Sequence, residues 1–162
     1  MIKDLKFDLR IYVVVTSFEP LRIYIYDEGL ARFASEPFSS VKGNKFAHLT
    51  NYAINKRNTK FINNENYKSD DHGHKWSLSA MMRHMEGVGI DTELLWSRIY
   101  DLVIKTILAC ESDVINAIRR IGLSRKNCFD LLGFDVLIDD DLKPWLMEVN
   151  LSPSMGTDSS LD

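Results

Sequence analysis

Two strand-like segments near the C-terminus, residues 128–138 and 144–150, flank the acidic turn Asp139-Asp140-Asp141, and each carries oxygen ligands among its apolar residues. Strand side chains alternate faces with a period of two, so Glu148 and Asn150 share a face and a hairpin return brings Asp135 beside them. Two carboxylates and one amide oxygen form an oxygen-only donor set. Such a set suits Mg²⁺, which takes one or two carboxylates and completes its shell with water and substrate phosphates. The alternative for each residue alone is a solvated strand end, because charged side chains are mostly exposed. Glu148 weighs against that alternative. It interrupts the run Trp145-Leu146-Met147-Glu148-Val149-Asn150, which otherwise reads as buried, and a buried carboxylate needs a partner or a metal.

Length and charge narrow the functional classes. A chain of 162 residues reads as one domain able to bury a core. Hydrophobic residues at 45% and charged residues at 27% are ordinary for a soluble globular protein, so composition leaves the function to the site residues. A net charge of −3 argues against a strongly basic nucleic-acid binder. No long uncharged apolar span is present, and Met1-Ile2-Lys3-Asp4 does not open a signal peptide. Cys110 and Cys128 stand far apart without a second pair, so neither a zinc motif nor a disulfide framework is expected. The expectation is a cytoplasmic protein with no nucleic-acid or membrane partner.

Residues 7–17 and 21–26 are rich in β-branched and aromatic side chains and read as a hairpin about Phe18-Glu19-Pro20. Asp27-Glu28-Gly29 reads as a second turn, with residues 30–34 returning as a third strand of an antiparallel meander. Residues 35–71 lack periodicity and read as a long loop, of the kind that is functional or disordered. A helix is expected over residues 76–86, where Leu78, Met81, Met82 and Met85 fall at spacings of three and four; this cluster reads as core packing. A longer helix is expected over residues 92–120, capped by Asp91 and ended by Gly122. The order of strands, loop, helices and strands is that of an α+β fold.

The motifs along this path resemble those of the tubulin–tyrosine ligase-like family. They are Lys6-Phe7-Asp8-Leu9-Arg10-Ile11-Tyr12-Val13, Gly29-Leu30-Ala31-Arg32-Phe33, His48-Leu49-Thr50-Asn51-Tyr52, Gly133-Phe134-Asp135, and Glu148-Val149-Asn150-Leu151-Ser152-Pro153-Ser154. Asn55-Lys56, Gly73-His74-Lys75-Trp76-Ser77 and Leu142-Lys143-Pro144-Trp145 resemble the glutamate-adding members. The resemblance implies the C-terminal portion of an ATP-grasp-like domain over residues 1–162, an antiparallel sheet with packed helices. It implies a tubulin polyglutamylase-type ligase that uses ATP and Mg²⁺ to add free glutamate to glutamate side chains of tubulin through an acyl phosphate. Asp135, Glu148 and Asn150 then match metal ligands, Lys6, Asp8, Thr50 and Asn51 match nucleotide contacts, and Arg10 and Arg32 match the catalytic arginines. On residue chemistry alone, Lys6 and Arg32 also read as solvated charges, Asp8 and Arg10 as a pair on one strand face, and Thr50-Asn51 as a turn.

Family domains begin upstream of the Lys6-to-Val13 motif and continue past residue 162, so the N-terminal portion of the domain is expected to be absent. Weak ATP binding and little activity are the expectation for residues 1–162 alone. A different class is an inactive fragment or pseudoenzyme that serves as a microtubule-interaction module. The acidic tails of microtubules call for a basic docking patch, for which Lys42, Lys45, Lys56, Arg57 and Lys60 are candidates. Placement on the cytoskeleton, with the cilium or basal body included, follows from the same resemblance.

Overall fold

The computed structural model describes residues 1–40, 43–64, 70–122 and 128–155. Strands β1 (Phe7–Phe18) and β2 (Leu21–Phe33) are followed by two single-turn helices, α1 (Lys45–His48) and α2 (Tyr52–Asn55). Strand β3 (Lys75–Ser77), helices α3 (Leu78–Gly87) and α4 (Thr92–Ile121), and strands β4 (Asp130–Ile138) and β5 (Pro144–Leu151) complete the order. Along the sheet the strands run β3-β2-β1-β4-β5, with β2–β3 and β4–β5 antiparallel. The fold is α+β, as the order of elements predicts. Among the described residues no helix is long and apolar enough to cross a membrane.

The chain divides into two compact units, one of Met1–Arg10, Glu28–Ile90 and Ser154–Asp162 and the other of Ile11–Asp27 and Asp91–Pro153. In the first unit, strand alternation sorts side chains into two faces. Phe7, Ala31, Phe33 and Trp76 are buried on the apolar face, where the Phe33 ring lies 5.8 Å from Phe7 and 5.0 Å from Trp76. Asp8, Arg32 and Lys75 occupy the other face. α3 starts at Ser77, whose hydroxyl accepts from Ala80 N at 3.0 Å, and buries Leu78, Met81, Met82 and Met85. The methionine cluster is therefore core, as its spacing predicts.

In the second unit, Ile11, Val13 and Val15 of β1, Leu132, Phe134 and Val136 of β4, and Leu95, Ile99, Val103 and Ile107 of α4 are buried. Each such side chain contributes about 2 kcal/mol by leaving water. α4 lies between its predicted cap signals and runs one residue past the expected 92–120. Asp91 accepts from Leu94 N at 2.9 Å, and Gly122 ends the helix in the left-handed region at φ 67°.

Three expectations about local structure are corrected. Asp27-Glu28-Gly29 is not a turn, because β2 runs unbroken to Phe33. Gly29 serves close approach instead: a Cβ there would lie 2.4 Å from the Arg10 carbonyl oxygen. Residues 35–71 hold α1 and α2 rather than loop alone. Trp76 belongs to β3, and α3 begins two residues later than the predicted helix, because Ser77 supplies its cap.

Candidate functional site

The acidic edge of the second unit rests on the β4–β5 register. Asp135 lies opposite Glu148 and Gly133 opposite Asn150, so Asp135, Glu148 and Asn150 share one face as their spacing predicts. Gly133 leaves the place facing Asn150 without a side chain. A bulge between Asp135 and Val136 then shifts the pairing, and Val136 meets Leu146. Asp139 closes the turn between the strands: Oδ1 accepts from Asp141 N at 3.0 Å and Lys143 N at 2.9 Å, and Oδ2 accepts from Trp145 Nε1 at 2.7 Å. The indole bond, helped by the Lys143 amide, holds this carboxyl below its usual range.

Burial differs sharply across the edge. Asp135 is only 3% exposed, whereas Glu148 is exposed and Asn150 intermediate. The expectation that Glu148 lies in a buried run is overturned. β5 is an edge strand, and Trp145, Leu146, Met147, Val149 and Leu151 are all exposed with it. Asp135 is thus the buried member of the three and Glu148 the exposed one. Asn150 Nδ2 donates to Glu148 Oε1 at 3.0 Å and lies 3.5 Å from the Gly133 carbonyl. Those contacts engage the amide nitrogen, so Oδ1 is the atom through which Asn150 would join a cation. Among the described residues no cluster of three His, Cys, Asp or Glu is placed to hold a metal. Two carboxylates with an amide oxygen still fit Mg²⁺, which needs few protein ligands.

The first unit carries the predicted nucleotide and catalytic residues. Asp8 and Arg10 alternate onto one face at the start of β1, and Lys6, the residue before the strand, accepts from Ala34 N through its carbonyl oxygen at 2.8 Å. Asp8 pairs with Arg32 rather than with Arg10. Arg32 Nε donates to Asp8 Oδ1 at 2.9 Å and Nη2 to Oδ2, a two-point ion pair at the largely buried end of both side chains. The solvated-charge reading of Arg32 is thereby set aside.

Thr50 is buried and Asn51 exposed, immediately before α2. Asn51 is the N-cap by position, although its side chain makes no capping bond. What fixes this loop is Asn55, which is fully buried. Its Oδ1 accepts from Ser35 N at 2.9 Å and Ser35 Oγ at 2.7 Å, while Nδ2 donates to Leu49 O at 2.7 Å and Asn51 O at 3.1 Å. The backbone on both sides of Thr50 is thus tied to one side chain. In the sequence Asn55 stands out only through the Asn55-Lys56 resemblance; the signal for its structural part is an asparagine four residues after Asn51, in reach of the preceding turn's carbonyls.

Of the basic patch, Lys45, Lys56, Arg57 and Lys60 are exposed, whereas Lys42 lies outside the described residues. Lys60 Nζ lies 3.6 Å from Glu36, and Lys56 Nζ stands 5.1 Å from the Tyr52 ring centre.

The tubulin-tyrosine ligase family matches residues 1–162. A tubulin polyglutamylase of Caenorhabditis elegans is 51% identical over 166 residues, covering 100% of this chain and 23% of that protein. A tubulin polyglutamylase of Mus musculus is 48% identical over 165 residues, again covering 100% of this chain but 12% of the relative. A tubulin monoglutamylase of Mus musculus is 46% identical over 165 residues and is covered to 14%. The chain therefore spans less than a quarter of the length of these curated relatives. With its motifs in order and the family matching from the first residue to the last, the chain belongs to the tubulin-tyrosine ligase family.

Proposed function

We propose that this chain carries part of the active site of an ATP-dependent ligase that joins free glutamate to glutamate side chains of tubulin, in an ATP-grasp-type domain. The observation that carries the reading is the β4–β5 register, which sets Asp135 opposite Glu148 with Asn150 on the same face. The names of the relatives, tubulin polyglutamylase and tubulin monoglutamylase, support the choice of amino acid and acceptor.

A carboxylate is a poor electrophile, so the acceptor side chain is first phosphorylated by the γ-phosphoryl group of ATP. The new C–O–P linkage forms as the β–γ bridge bond breaks and ADP leaves. The amine of free glutamate then attacks the acyl carbon, loses a proton, and expels inorganic phosphate as the amide forms. Asp135, Glu148 and Asn150 would hold Mg²⁺, which supplies charge neutralisation across the phosphates when bound. Arg10 and Arg32 offset the negative charge of the acyl phosphate and of the tetrahedral oxyanion. Guanidinium suits the task, because its planar fork makes two charge-assisted bonds to one oxyanion and remains ionised. Lys6 and Asp8 contact the nucleotide, and the Thr50-Asn51 loop, fixed by Asn55, borders it.

The test is ATP-dependent transfer of radiolabelled glutamate to tubulin by the full-length protein, beside an Asp135→Asn, Glu148→Gln variant. Label that depends on ATP and is lost in the variant is expected. Microtubule co-sedimentation with no ATP-dependent label would favour a non-catalytic interaction module instead.

A further inference from the structure

β2 meets β3 on its outer side only at Leu30, Ala31 and Arg32. Among the described residues, the outer edge of residues 21–27 has no strand beside it. A bare edge offers its backbone donors and acceptors to any other strand, and proteins that keep an edge single blunt it with lysine, proline, a bulge or a short length. The segment Leu21-Arg22-Ile23-Tyr24-Ile25-Tyr26-Asp27 holds neither lysine nor proline and lies within one continuous strand. Its two charges, Arg22 and Asp27, stand near opposite ends, and the four residues between them are uncharged.

The side chains favour pairing on both faces. Leu21, Ile23 and Ile25 are half-buried and line an open groove with Tyr100 and Ile104 of α4. Tyr100, Ile104 and Leu108 are exposed at spacings of four, an apolar stripe additional to the row of Leu95, Ile99, Val103 and Ile107 that the core buries. Strand alternation sends Tyr24 and Tyr26 to the opposite face, where both are exposed.

A second copy of this chain is the occupant that the edge specifies. A two-fold axis at Tyr24 sets two such edges antiparallel, so that Tyr24 faces the partner's Tyr24, Ile23 the partner's Ile25, and Arg22 the partner's Tyr26. These are aromatic, β-branched and cation–ring pairs of the kind that stabilise neighbouring strands. The Arg22 end of one edge comes to the Asp27 end of the other, so opposite charges meet at both ends of the seam. A parallel arrangement would set like charges side by side. The apolar groove with Tyr100 and Ile104 borders the same seam.

We propose that the protein forms a two-fold dimer through residues 21–27 of β2, which joins two sheets into one. The inference is independent of the ligase reading, since none of these residues belongs to the candidate site.

The test is equilibrium sedimentation of the full-length protein from nanomolar to high micromolar concentration. The wild type is compared with Tyr24→Lys, with Tyr24→Glu, and with the two variants mixed in equal amounts. Tyr24 is 59% exposed, so either substitution leaves the protomer's core untouched. Each variant alone sets like charges against each other across the axis and should weaken the dimer about tenfold or more. The mixture sets opposite charges there and should recover the wild-type affinity to within about threefold. Only an edge that meets itself is rescued in this way. Hydrogen exchange of the wild type decides without any variant: protection of residues 21–27 should rise with protein concentration. A wild type that stays monomeric throughout, a dimer that neither substitution weakens, or a mixture that does not recover would overturn the proposal. Protection of residues 21–27 that is the same at every concentration would also overturn it, and would give the edge to another segment of the same chain.

Discussion

Asp8 and Arg32 are joined by a two-point ion pair from β1 to β2, with Arg32 Nε 2.9 Å from Asp8 Oδ1 and Nη2 bonded to Oδ2. The carboxylate holds the Nε–Nη2 edge of the guanidinium and so fixes the arginine's orientation. On the proposed ligase reading, such pre-orientation would lower the cost of ordering a long side chain during the reaction.

Arg32→Ala is expected to lower glutamate transfer on the order of a hundredfold, the usual cost of losing one well-placed oxyanion donor. Asp8→Ala should weaken nucleotide binding and, in addition, destabilise the fold by about 3 kcal/mol, since it breaks the two-point ion pair of a largely buried guanidinium. Steady-state rates and urea unfolding separate the two effects. Unchanged turnover in Arg32→Ala would remove the arginine from the mechanism.

Asn55→Ala should cost about 3 kcal/mol, because it leaves Ser35 N and Leu49 O without their bonds in a fully buried place. Hydrogen exchange should accelerate across residues 49–51 before the rest of the first unit. Unaltered protection there would show that the loop is held by something else.

Gly29→Ala should destabilise by about 1–3 kcal/mol, the range for inserting a methyl into packed structure. The methyl would press on the Arg10 carbonyl, which lies 2.4 Å from the ideal Cβ position. A chemical-denaturation midpoint equal to wild type would contradict the close approach.

His74 gives the first unit a pH dependence. Burial pushes its imidazole below the ordinary value of 6.5, and its Nδ1 must stay unprotonated to accept from Ile62 N. Below 6.5 the unfolded chain takes up a proton that the folded chain resists, so the unfolded state binds more protons and stability rises with pH. The contribution is complete above 6.5 and is lost as pH falls through the lowered folded value. Thermal melts should therefore drop more steeply on acidification in wild type than in His74→Asn, whose side chain has no titrating group; parallel curves would contradict the assignment.

The parts of this fold legible in sequence are those where local chemistry decides the structure. Asp91 and Gly122 bracket α4, and the acidic turn with flanking apolar strands yields both the β4–β5 hairpin and the face shared by Asp135, Glu148 and Asn150. The misread parts depend on distant neighbours. Gly29 looks like punctuation until the Arg10 carbonyl is beside it. Trp76 looks helical until Phe33 supplies a partner across β2–β3. The apolar run around Glu148 looks buried because strand order, which makes β5 an edge, is not written in its own residues.

The central claim is that the β4–β5 edge holds the divalent cation of an ATP-dependent reaction. Its most direct test is paramagnetic broadening of backbone amide signals in the ¹⁵N-labelled full-length protein on titration with Mn²⁺ in the presence of a non-hydrolysable ATP analogue. Broadening centred on residues 133–135 and 148–150, reversed by excess Mg²⁺ and lost in the Asp135→Asn, Glu148→Gln variant, is the predicted result. Saturable Mn²⁺ binding that broadens other segments while leaving these signals sharp would contradict it.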